Sequence, residues 1–403
     1  MTTPPTPRWG ATARRAIVAT AFAFAVTMMG TTLPTPLYAI YSAQLDFTPL
    51  TVTVLFAVYA LGVVGALLLF GRLSDELGRR PVLLIAVGLA LTSAVLFLIP
   101  PSLPLLLVAR VVSGIGAGLM SGAGTAAIID LFPADRKATA ATVAVTANSG
   151  GLALGTLVAG VLASTVSEPL VTPFAAHLTL TLIALLSLAR WVPTPAQRGR
   201  FRIRPQRLHV PAEIRGTFTR AVCAGGIGFS TAGVLTAVSA LFLARHLGLT
   251  SPALSGFVVF LTFAGMASGQ LIARRLRPVV AIPVGCGGLA AGAGILALAL
   301  ATETLVPLLI AATVLGISSG LCLNAGIAST VEQVPPAERG GVSSAFFAGL
   351  YVFLAIPAIG VGLLATQLGL ITAGLAFSAL VALGALTVGI AAVASARRSD
   401  TAA

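Results

Sequence analysis

The sequence predicts an all-α integral membrane protein with twelve transmembrane helices in two related six-helix bundles. Charged residues make up 9% of its 403 residues and hydrophobic residues 57%, whereas soluble domains carry about 25% charged residues. Apolar runs of roughly 20 residues, enough for a helix to cross a bilayer, recur along nearly the whole chain. Features of the first half also recur at equivalent places in the second half. The alternating pattern typical of membrane β-strands is absent from the sequence.

The apolar runs place six helices in each half of the chain. Those of the first half lie near residues 15–41, 50–70, 81–100, 104–129, 138–163 and 171–192. Those of the second half lie near residues 218–243, 252–272, 279–300, 305–330, 341–363 and 370–395. The longest connection stands between the two sets and is rich in arginine. We therefore predict an N-terminal bundle over residues 1–192, a linker over residues 193–216 and a C-terminal bundle over residues 217–403.

The charged residues predict which side of the membrane each connection faces. When the connections are assigned to alternate sides, nearly all the arginines and Lys137 fall on the side of the two termini. The other side holds Asp46, Glu168 and Glu303, and its one basic residue is Arg245. Positive residues concentrate on the cytoplasmic side of membrane proteins. We therefore expect a multi-pass protein of the bacterial inner membrane with both termini and the linker in the cytoplasm.

The rest of the sequence indicates neither an enzyme nor a nucleic-acid-binding protein. The net charge of +13 lies mostly in the connections between apolar runs, where the membrane topology accounts for it. Cys223, Cys286 and Cys322 each lie inside an apolar run without CxxC spacing, so we expect neither a disulfide nor a metal site. The sequence shows no pattern of paired carboxylates or of a nucleophile with its base. We expect no catalytic residue, no cofactor and no metal.

Two pairs of segments carry the internal repeat. Residues 71–81 (GRLSDELGRRP) follow the second helix, and residues 269–278 (GQLIARRLRP) follow the eighth. The fourth helix ends at Asp130 and is followed by PADR over residues 133–136. The tenth ends near Glu332 and is followed by PAER over residues 336–339. Parallel repeats of six helices imply a pseudo-twofold axis along the membrane normal, with a path for solutes between the halves.

With these motifs the chain resembles a major facilitator superfamily transporter over all twelve helices, and within it the drug:proton antiporters of multidrug efflux. Residues 71–80 match the signature loop that the superfamily carries between its second and third helices. The resemblance implies the major facilitator fold, in which a pseudo-twofold axis relates the two bundles, and a transport function. It also implies that this loop latches the two halves together in the outward-facing state.

The residues that the resemblance assigns to the latch are loop glycines, loop charges and an acid at the end of the fourth helix: Gly71, Asp75, Gly78, Arg79, Arg80 and Asp130. Glycine permits the tight turn and close approach that such a loop needs. The charged side chains can pair across the cytoplasmic mouth or meet helix ends. The alternative is that the loop is simply solvated, and that its positive charges alone keep it on this side of the membrane. The second copy has Ala273 in place of Asp75, so we expect only the first latch to be complete.

Arg110 lies inside the fourth helix, where a charge is costly and is a functional candidate by default. Residues 110–116 (RVVSGIG) resemble a second motif of the superfamily, in which the arginine lies near the path of substrate and protons. Two structural alternatives stand beside this one. The side chain can extend to the membrane surface, or it can pair with Glu168 or with backbone carbonyls.

The fifth helix carries GLALGTLVAG over residues 151–160. This segment resembles the antiporter motif of proton-driven exporters, through residues that we name the antiporter-like motif: Gly151, Gly155, Thr156 and Gly160. Thr156 stands where the family has proline, and Ala159 stands where it has glycine, so a kink is not expected from the sequence. The alternative is close helix packing, for which small residues at a spacing of four suffice. We interpret Gly114, Gly118 and Gly122 of the fourth helix as packing residues only.

Candidate cavity residues are polar or aromatic and lie near mid-membrane on helices that line the cavity in the family. They are Thr31, Thr35, Tyr38, Tyr59, Asn148, Ser230, Phe260, Phe263, Met266, Asn324, Phe347 and Tyr351. A packing role is an equal alternative for any one of them. His177 in the sixth helix is either a proton carrier or a packed neutral imidazole. Pro34 and Pro36 predict a bend in the first helix.

Together these features predict a secondary active transporter that exports small, mostly apolar organic compounds, drugs among them, by alternating access in exchange for protons. Lipophilic or weakly cationic substrates suit the candidate cavity better than sugars or phosphates. The expected partners are the substrate, protons and the lipid bilayer, and we expect a monomer. The proton carrier is Asp130 or, less favoured, His177. The alternatives are an importer or facilitator of an uncharged nutrient, and a membrane sensor without transport.

Overall fold

A computed structural model describes residues 10–71, 73–194 and 210–401 of the protein, and within them all side chains except those of Asp75, Pro336, Ala337 and residues 398–401. In this part of the chain, twelve helices are long and apolar enough to cross a membrane, and no strand occurs. The all-α membrane fold is therefore confirmed. Of the predicted segments, most of the arginine-rich linker lies outside the described residues.

We label the twelve helices in chain order. Those of the first half are α1 Ala11–Leu45, α2 Pro49–Phe70, α3 Arg79–Leu98, α4 Leu103–Leu131, α5 Ala134–Thr165 and α6 Thr172–Trp191. Those of the second half are α7 Ala212–Arg245, α8 Pro252–Ala273, α9 Pro278–Thr302, α10 Leu305–Gln333, α11 Glu338–Leu368 and α12 Leu370–Arg397. Most bounds lie within a few residues of the predicted ones, because long apolar runs leave little freedom for placing a span.

Proline interrupts α1 near its middle, as predicted. An α-helix runs over Ala11–Thr32, a 3-10 turn over Thr35–Leu37, and a second α-helix over Tyr38–Leu45. Pro34 and Pro36 have no backbone N–H, so neither can continue the helical hydrogen-bond ladder. The break leaves carbonyl groups at the end of the first segment without partners in their own helix.

The pattern of helix packing in the first half repeats in the second. In the first half α2 and α3 pack on α4, and α1 and α3 pack on α6, while α1 also packs on α5. In the second half the equivalent helices make the equivalent pairs: α8 and α9 on α10, α7 and α9 on α12, and α7 on α11. This correspondence is what a pseudo-twofold relation between two bundles requires.

Close packing within each half depends on glycine at helix crossings. A side chain at Gly114 or Gly118 of α4 would collide with backbone atoms of α2, and one at Gly316 or Gly320 of α10 would collide with α8. Small residues allow such close approach in membranes, where lipid supplies no hydrophobic drive between helices. Gly122 differs from our interpretation, since no atom lies within 4 Å of the place where its side chain would begin.

The halves meet mainly along two pairs of helices, α5 with α8 and α2 with α11. On the side away from the termini, residues of both halves share one hydrophobic core, which includes Leu37 and Phe56 of the first half and Leu241 and Leu354 of the second. On the side of the termini, the first half has a core of its own around Phe24. The two halves are therefore joined most continuously on the side away from the termini.

Candidate functional site

Arg110 of α4 is buried at the break in α1. Its side chain is 1% exposed, so it does not extend to the membrane surface. The Nη1 atom donates to the carbonyl of Thr31 at 2.6 Å, and Nη2 donates to the hydroxyl of Tyr38. The break in α1 makes this possible, because the Thr31 carbonyl lies in the last turn before the interruption. The Nε atom is buried without a hydrogen-bond partner.

The chain has four tyrosines, and they lie on three helices. Two of these helices, α1 and α2, meet near Arg110, and the third, α11, packs on α2. The guanidinium carbon lies 5.8 Å from the ring centroid of Tyr38 and 5.4 Å from that of Tyr59. Such placement stabilises a cation through the ring faces. Tyr59 in turn faces Thr31 and Tyr351, and Tyr41 lies beside Tyr38. A chain of polar and aromatic groups therefore leads from α4 through α2 to α11 of the other half.

No carboxylate balances the charge of Arg110 among the described residues. Every Asp and Glu whose side chain the structure describes lies at a helix end or in a connection: Asp46, Glu76, Asp130, Asp135, Glu168, Glu213, Glu303, Glu332 and Glu338. The predicted alternative of pairing with Glu168 does not occur, whereas the alternative of a backbone carbonyl does. A buried charge without a paired charge is costly. The membrane interior of the first half therefore holds one fixed positive charge.

Residues of the signature loop gather at the ends of α3, α4 and α6 on the side of the termini. The Nε atom of Arg79 lies 3.0 Å from Oδ2 of Asp130, and Nη1 donates to Ser74 Oγ at 2.6 Å. Arg80 donates to the carbonyl of Ala189 at 2.6 Å and to the hydroxyl of Thr194. These contacts all lie within the first half. The Arg79 and Asp130 side chains are 30% and 57% exposed, so solvent weakens their attraction.

The two loop glycines differ in what they do. Gly78 has φ 89, a conformation that favours glycine, and it stands directly before the first residue of α3. Gly71 has φ −58, which any residue adopts, so its backbone conformation does not require glycine. The side chain of Asp75 lies outside the described part of the structure, although its backbone belongs to a short helix over Leu73–Glu76.

The second copy of the loop, not the first, makes a described contact between the halves. Arg274 Nη1 donates to Thr142 Oγ1 at 2.8 Å and to the Ala138 carbonyl at 3.3 Å, both in the first turns of α5. Our expectation that only the first latch is complete stays a prediction, because the side chain of Asp75 lies outside the described part of the structure. Arg274 binds uncharged acceptors across the interface, and Ala273 beside it offers no carboxylate. Partial burial lowers the pKa of Arg274, and the charge of Glu332 opposes that shift.

The antiporter-like motif of α5 packs on two different helices. A side chain at Gly151 or Gly155 would collide with backbone atoms of α1, and one at Gly160 would collide with the Pro252 carbonyl of α8. The carbonyl of Thr156 lies against Gly256 of α8, while its hydroxyl donates to Ala153 within α5 at 2.9 Å. With threonine in place of proline, α5 runs without a break over Lys137–Thr165.

Other candidates lie apart from Arg110. His177 of α6 makes a 3.0 Å hydrogen bond with the Val26 carbonyl and packs on Gly30, so the structure places it inside the first half as a packed side chain. Thr35 is buried and its hydroxyl has no hydrogen-bond partner. Asn148 and Asn324 are half-buried. A separate cluster holds or contacts the remaining aromatic and sulfur-containing candidates of the second half: Phe260, Phe263, Met266 and Phe347.

One pair of interface residues was missed in the sequence. Gln270 of α8 donates from Nε2 to Ser149 Oγ of α5 at 3.0 Å, and both side chains are buried. Gln270 lies in the repeated segment after the eighth helix, and a buried amide in an apolar run is a signal of a specific partner. Ser230, which was proposed as a cavity residue, donates instead to Ile227 of its own helix at 2.7 Å.

The family follows from comparison with known sequences. A model of the Major Facilitator Superfamily matches residues 20–356. The chain belongs to this superfamily. Major facilitator proteins are transport proteins rather than enzymes, and the chain is therefore a multi-pass membrane transporter.

Individual relatives are more distant. The uncharacterized MFS-type transporter EfpA of Mycobacterium tuberculosis, from two strains, is 33% identical over 105 residues, which cover 26% of this chain and 20% of EfpA. Among solved structures, a bacterial homolog of the human lysosomal transporter Spinster, in an inward-facing and unoccupied conformation, superposes with a TM-score of 0.65. That likeness covers 95% of this chain and 94% of the other at 16% identity, and it shows the major facilitator fold.

Proposed function

We propose that this major facilitator protein exports small, mostly apolar organic compounds in exchange for protons, by alternating access between its two halves. The observation that carries the proposal is the buried cluster of Arg110, Tyr38 and Tyr59, which continues to Tyr351 in the other half. A polar group on the interface between two repeats is where transporters bind substrate. Because the cluster reaches both halves, a ligand bound to it can influence how the halves move.

The charge and lining of this cluster support a particular range of substrates. Its one ion is the cation Arg110, and aromatic rings surround the path towards the second half, where Phe229 meets Tyr351 edge-on at 5.9 Å. A fixed cation repels cationic compounds at short range. Uncharged or acidic apolar compounds therefore suit the site better than the weakly cationic ones that we expected from the sequence. Sugars, which need many hydrogen-bond partners, suit it poorly.

Sidedness and direction belong to the proposal as well. The positive charge on the side of the termini supports a bacterial inner-membrane protein with cytoplasmic termini. The antiporter-like motif supports export through its resemblance to the motif of proton-driven exporters, and it lies on the helix of the first half that packs most closely on α8. A cysteine at Arg202 should resist an impermeant thiol reagent in intact cells, and a cysteine at Asp46 should react. The reverse labelling would contradict this orientation.

The loop contacts of Arg79, Arg80 and Asp130, with Gly71, Asp75 and Gly78, form the proposed latch.

Asp130 and His177 remain the proposed alternatives for the proton carrier. Asp130 stands at an accessible helix end, where it can exchange protons with water, and His177 is 2% exposed. Both can be tested in vesicles under an imposed pH gradient, with Asp130→Asn and His177→Ala beside the wild type. Gradient-driven uptake by both variants would exclude both residues as the essential carrier.

The test of function begins with cells that carry or lack the protein, exposed to a panel of fluorescent and antibiotic compounds. We expect lower accumulation of apolar compounds when the protein is present. Arg110→Ala should abolish most of this difference, and Arg110→Lys should retain part of it, because lysine keeps the charge without the planar fork. Arg245→Ala, an exposed arginine at the end of α7, is the matched control and should act like the wild type.

Three results would contradict the proposal in different ways. Higher accumulation with the protein present would favour the importer or facilitator. No change for any compound, with normal amounts of protein in the membrane, would favour the sensor. Full activity of the Arg110→Ala variant would show that the buried cation is structural, and would leave export itself intact.

A further inference from the structure

A groove opens on the outer surface of the first half, between α1 and α6, on the side of the termini. Its volume is about 650 Å³, within the roughly 300–1,000 Å³ of small-molecule pockets. The floor is apolar and consists of Val18, Phe22 and Ile183. Val18 is 61% exposed and Ile183 is 47% exposed, so no part of the described protein covers them.

Three positive side chains lie in or beside this groove. Arg14, Arg15 and Trp191 line it, and Arg190 lies against the ring of Trp191. The guanidinium carbon of Arg15 lies 4.6 Å from the centroid of the Trp191 ring, and that of Arg190 lies 4.5 Å from the same ring. Tryptophan is typical of the membrane–water interface, where its ring is apolar and its N–H reaches water. The arginines are therefore placed at the depth of lipid headgroups.

The guanidinium groups of Arg15 and Arg190 both lie against the Trp191 ring, and no acidic side chain of the described residues accompanies them. No Asp or Glu lines the groove among the residues that the structure describes. Both guanidinium groups lie against the same ring, and a negatively charged group within reach of both lowers their electrostatic energy. The apolar floor continues from the same point towards the membrane interior. An occupant that matches both parts has an anionic head and a hydrocarbon tail.

We propose that this groove binds an anionic phospholipid, with its phosphate held by Arg15, Arg190 and Arg14 and one acyl chain lying over Val18, Phe22 and Ile183. Basic pockets between transmembrane helices bind acidic headgroups in this way. Arginine suits the role because its planar fork binds phosphate through two parallel hydrogen bonds. The site is separate from Arg110 and does not depend on which solute the protein carries.

The test uses the quenching of Trp191 fluorescence by brominated acyl chains. The chain has two tryptophans, so Trp9→Phe leaves Trp191 as the single reporter. The full-length protein is placed in bilayers of phosphatidylethanolamine, and brominated phosphatidylglycerol is added in steps. We expect quenching at lower mole fractions than with brominated phosphatidylethanolamine. Arg15→Gln with Arg190→Gln should weaken the apparent affinity by about thirtyfold, at the usual strength of arginine at an anionic surface.

Two further variants separate a built site from general surface charge. Arg275→Gln with Arg277→Gln removes two exposed arginines on the same side of the membrane, away from the groove, and should leave the affinity nearly unchanged. Ser187→Phe fills the groove without altering charge, and should also weaken quenching. Equal quenching by the two lipids would overturn the proposal and indicate ordinary surrounding lipid only. An equal loss in the control pair, or unchanged quenching in Ser187→Phe, would overturn it as well.

Discussion

The two interfaces between the halves, α5 with α8 and α2 with α11, are equivalent under the pseudo-twofold relation but are built differently. Along α5 and α8 the backbones touch, with Gly160 against Pro252 and Gly256 against Thr156. Hydrogen bonds join these helices near both ends and between them. At the end away from the termini, Ser164 Oγ accepts from the Ala253 N–H at 2.9 Å. Along α2 and α11, Tyr59 faces Tyr351, and Thr53 packs at Gly362.

This difference teaches that a symmetric fold does not need symmetric interfaces. Glycines and backbone carbonyls have no rotamers to change, so α5 and α8 cannot separate slightly without losing contacts outright. Tyrosine and phenylalanine side chains can change their contacts by rotation about χ1. The α5–α8 pair is therefore suited to remain together, and the α2–α11 pair is suited to rearrange when the halves move. Variants of each interface can test this assignment.

The largest effect should come from Gly160→Ala. Its new methyl group would meet the Pro252 carbonyl and Ala253, so the backbones of α5 and α8 must move apart. Overpacking costs about 1–3 kcal/mol, and we expect initial rates of transport to fall by at least about fivefold. The control is Gly150→Ala on the same helix, where the nearest atom, Thr146 Cγ2, lies at 3.9 Å. Similar rates in the two variants would contradict a close-packed α5–α8 interface.

Ser149→Ala should have the next largest effect, measured as the thermal midpoint of the purified protein. The substitution leaves the buried amide of Gln270 without its acceptor, which costs about 1–3 kcal/mol. Replacing both residues, as Ser149→Ala with Gln270→Leu, removes the unpaired group and should recover most of the loss. A double variant that is less stable than Ser149→Ala alone would show that the hydrogen bond is not what couples the helices there.

Tyr351→Phe at the other interface should act more weakly. It removes one hydroxyl that faces Tyr59, and a hydrogen bond contributes a net of about 0.5–1.5 kcal/mol. We expect a change in transport rate of about two- to tenfold. Tyr59→Phe should cost at least as much as Tyr351→Phe, because the Tyr59 hydroxyl also faces Thr31. Tyr59→Phe with Tyr351→Phe should resemble Tyr59→Phe alone, because the contact between the two hydroxyls is already lost. Additive losses would mean that each tyrosine acts through a different partner.

Arg274→Gln should have the smallest effect, about twofold in transport rate, because its contacts with Thr142 and Ala138 are exposed to water. The neighbouring Arg275→Gln serves as the control, since Arg275 makes no described hydrogen bond to α5. A large loss in Arg274→Gln alone would show that the second copy of the loop is the more important one. It would also reverse the order that we expected from the missing acid at Ala273.

The helices and the break in α1 were predictable, because length and apolarity determine a span and two prolines close together, Pro34 and Pro36, cannot continue the helical ladder. The proximity of Arg79 to Asp130 followed from the resemblance of the loop to the signature loop of the superfamily. The partners of Gly160, Gln270 and Arg274 were not predictable in the same way. Helices of this chain are apolar on nearly every face, so the sequence does not show which face meets the other half. Trp191 was missed for another reason. Its proposed role depends on Arg15 and Arg190, which lie far apart in sequence and come together at its ring only in the folded protein.

The interruption of α1 also bears on how the chain enters the bilayer. In lipid, every backbone polar group needs a partner within the protein. The first segment of α1 ends with the Thr31 carbonyl turned to Arg110, which belongs to a helix inserted later. Inserting α4 with an arginine inside its apolar run is costly as well. As isolated spans, α1 has a backbone carbonyl without a partner and α4 has a charge without a partner, and the contact between them satisfies both. The association of α1 with α4 is therefore a step that membrane insertion of the first half has to include.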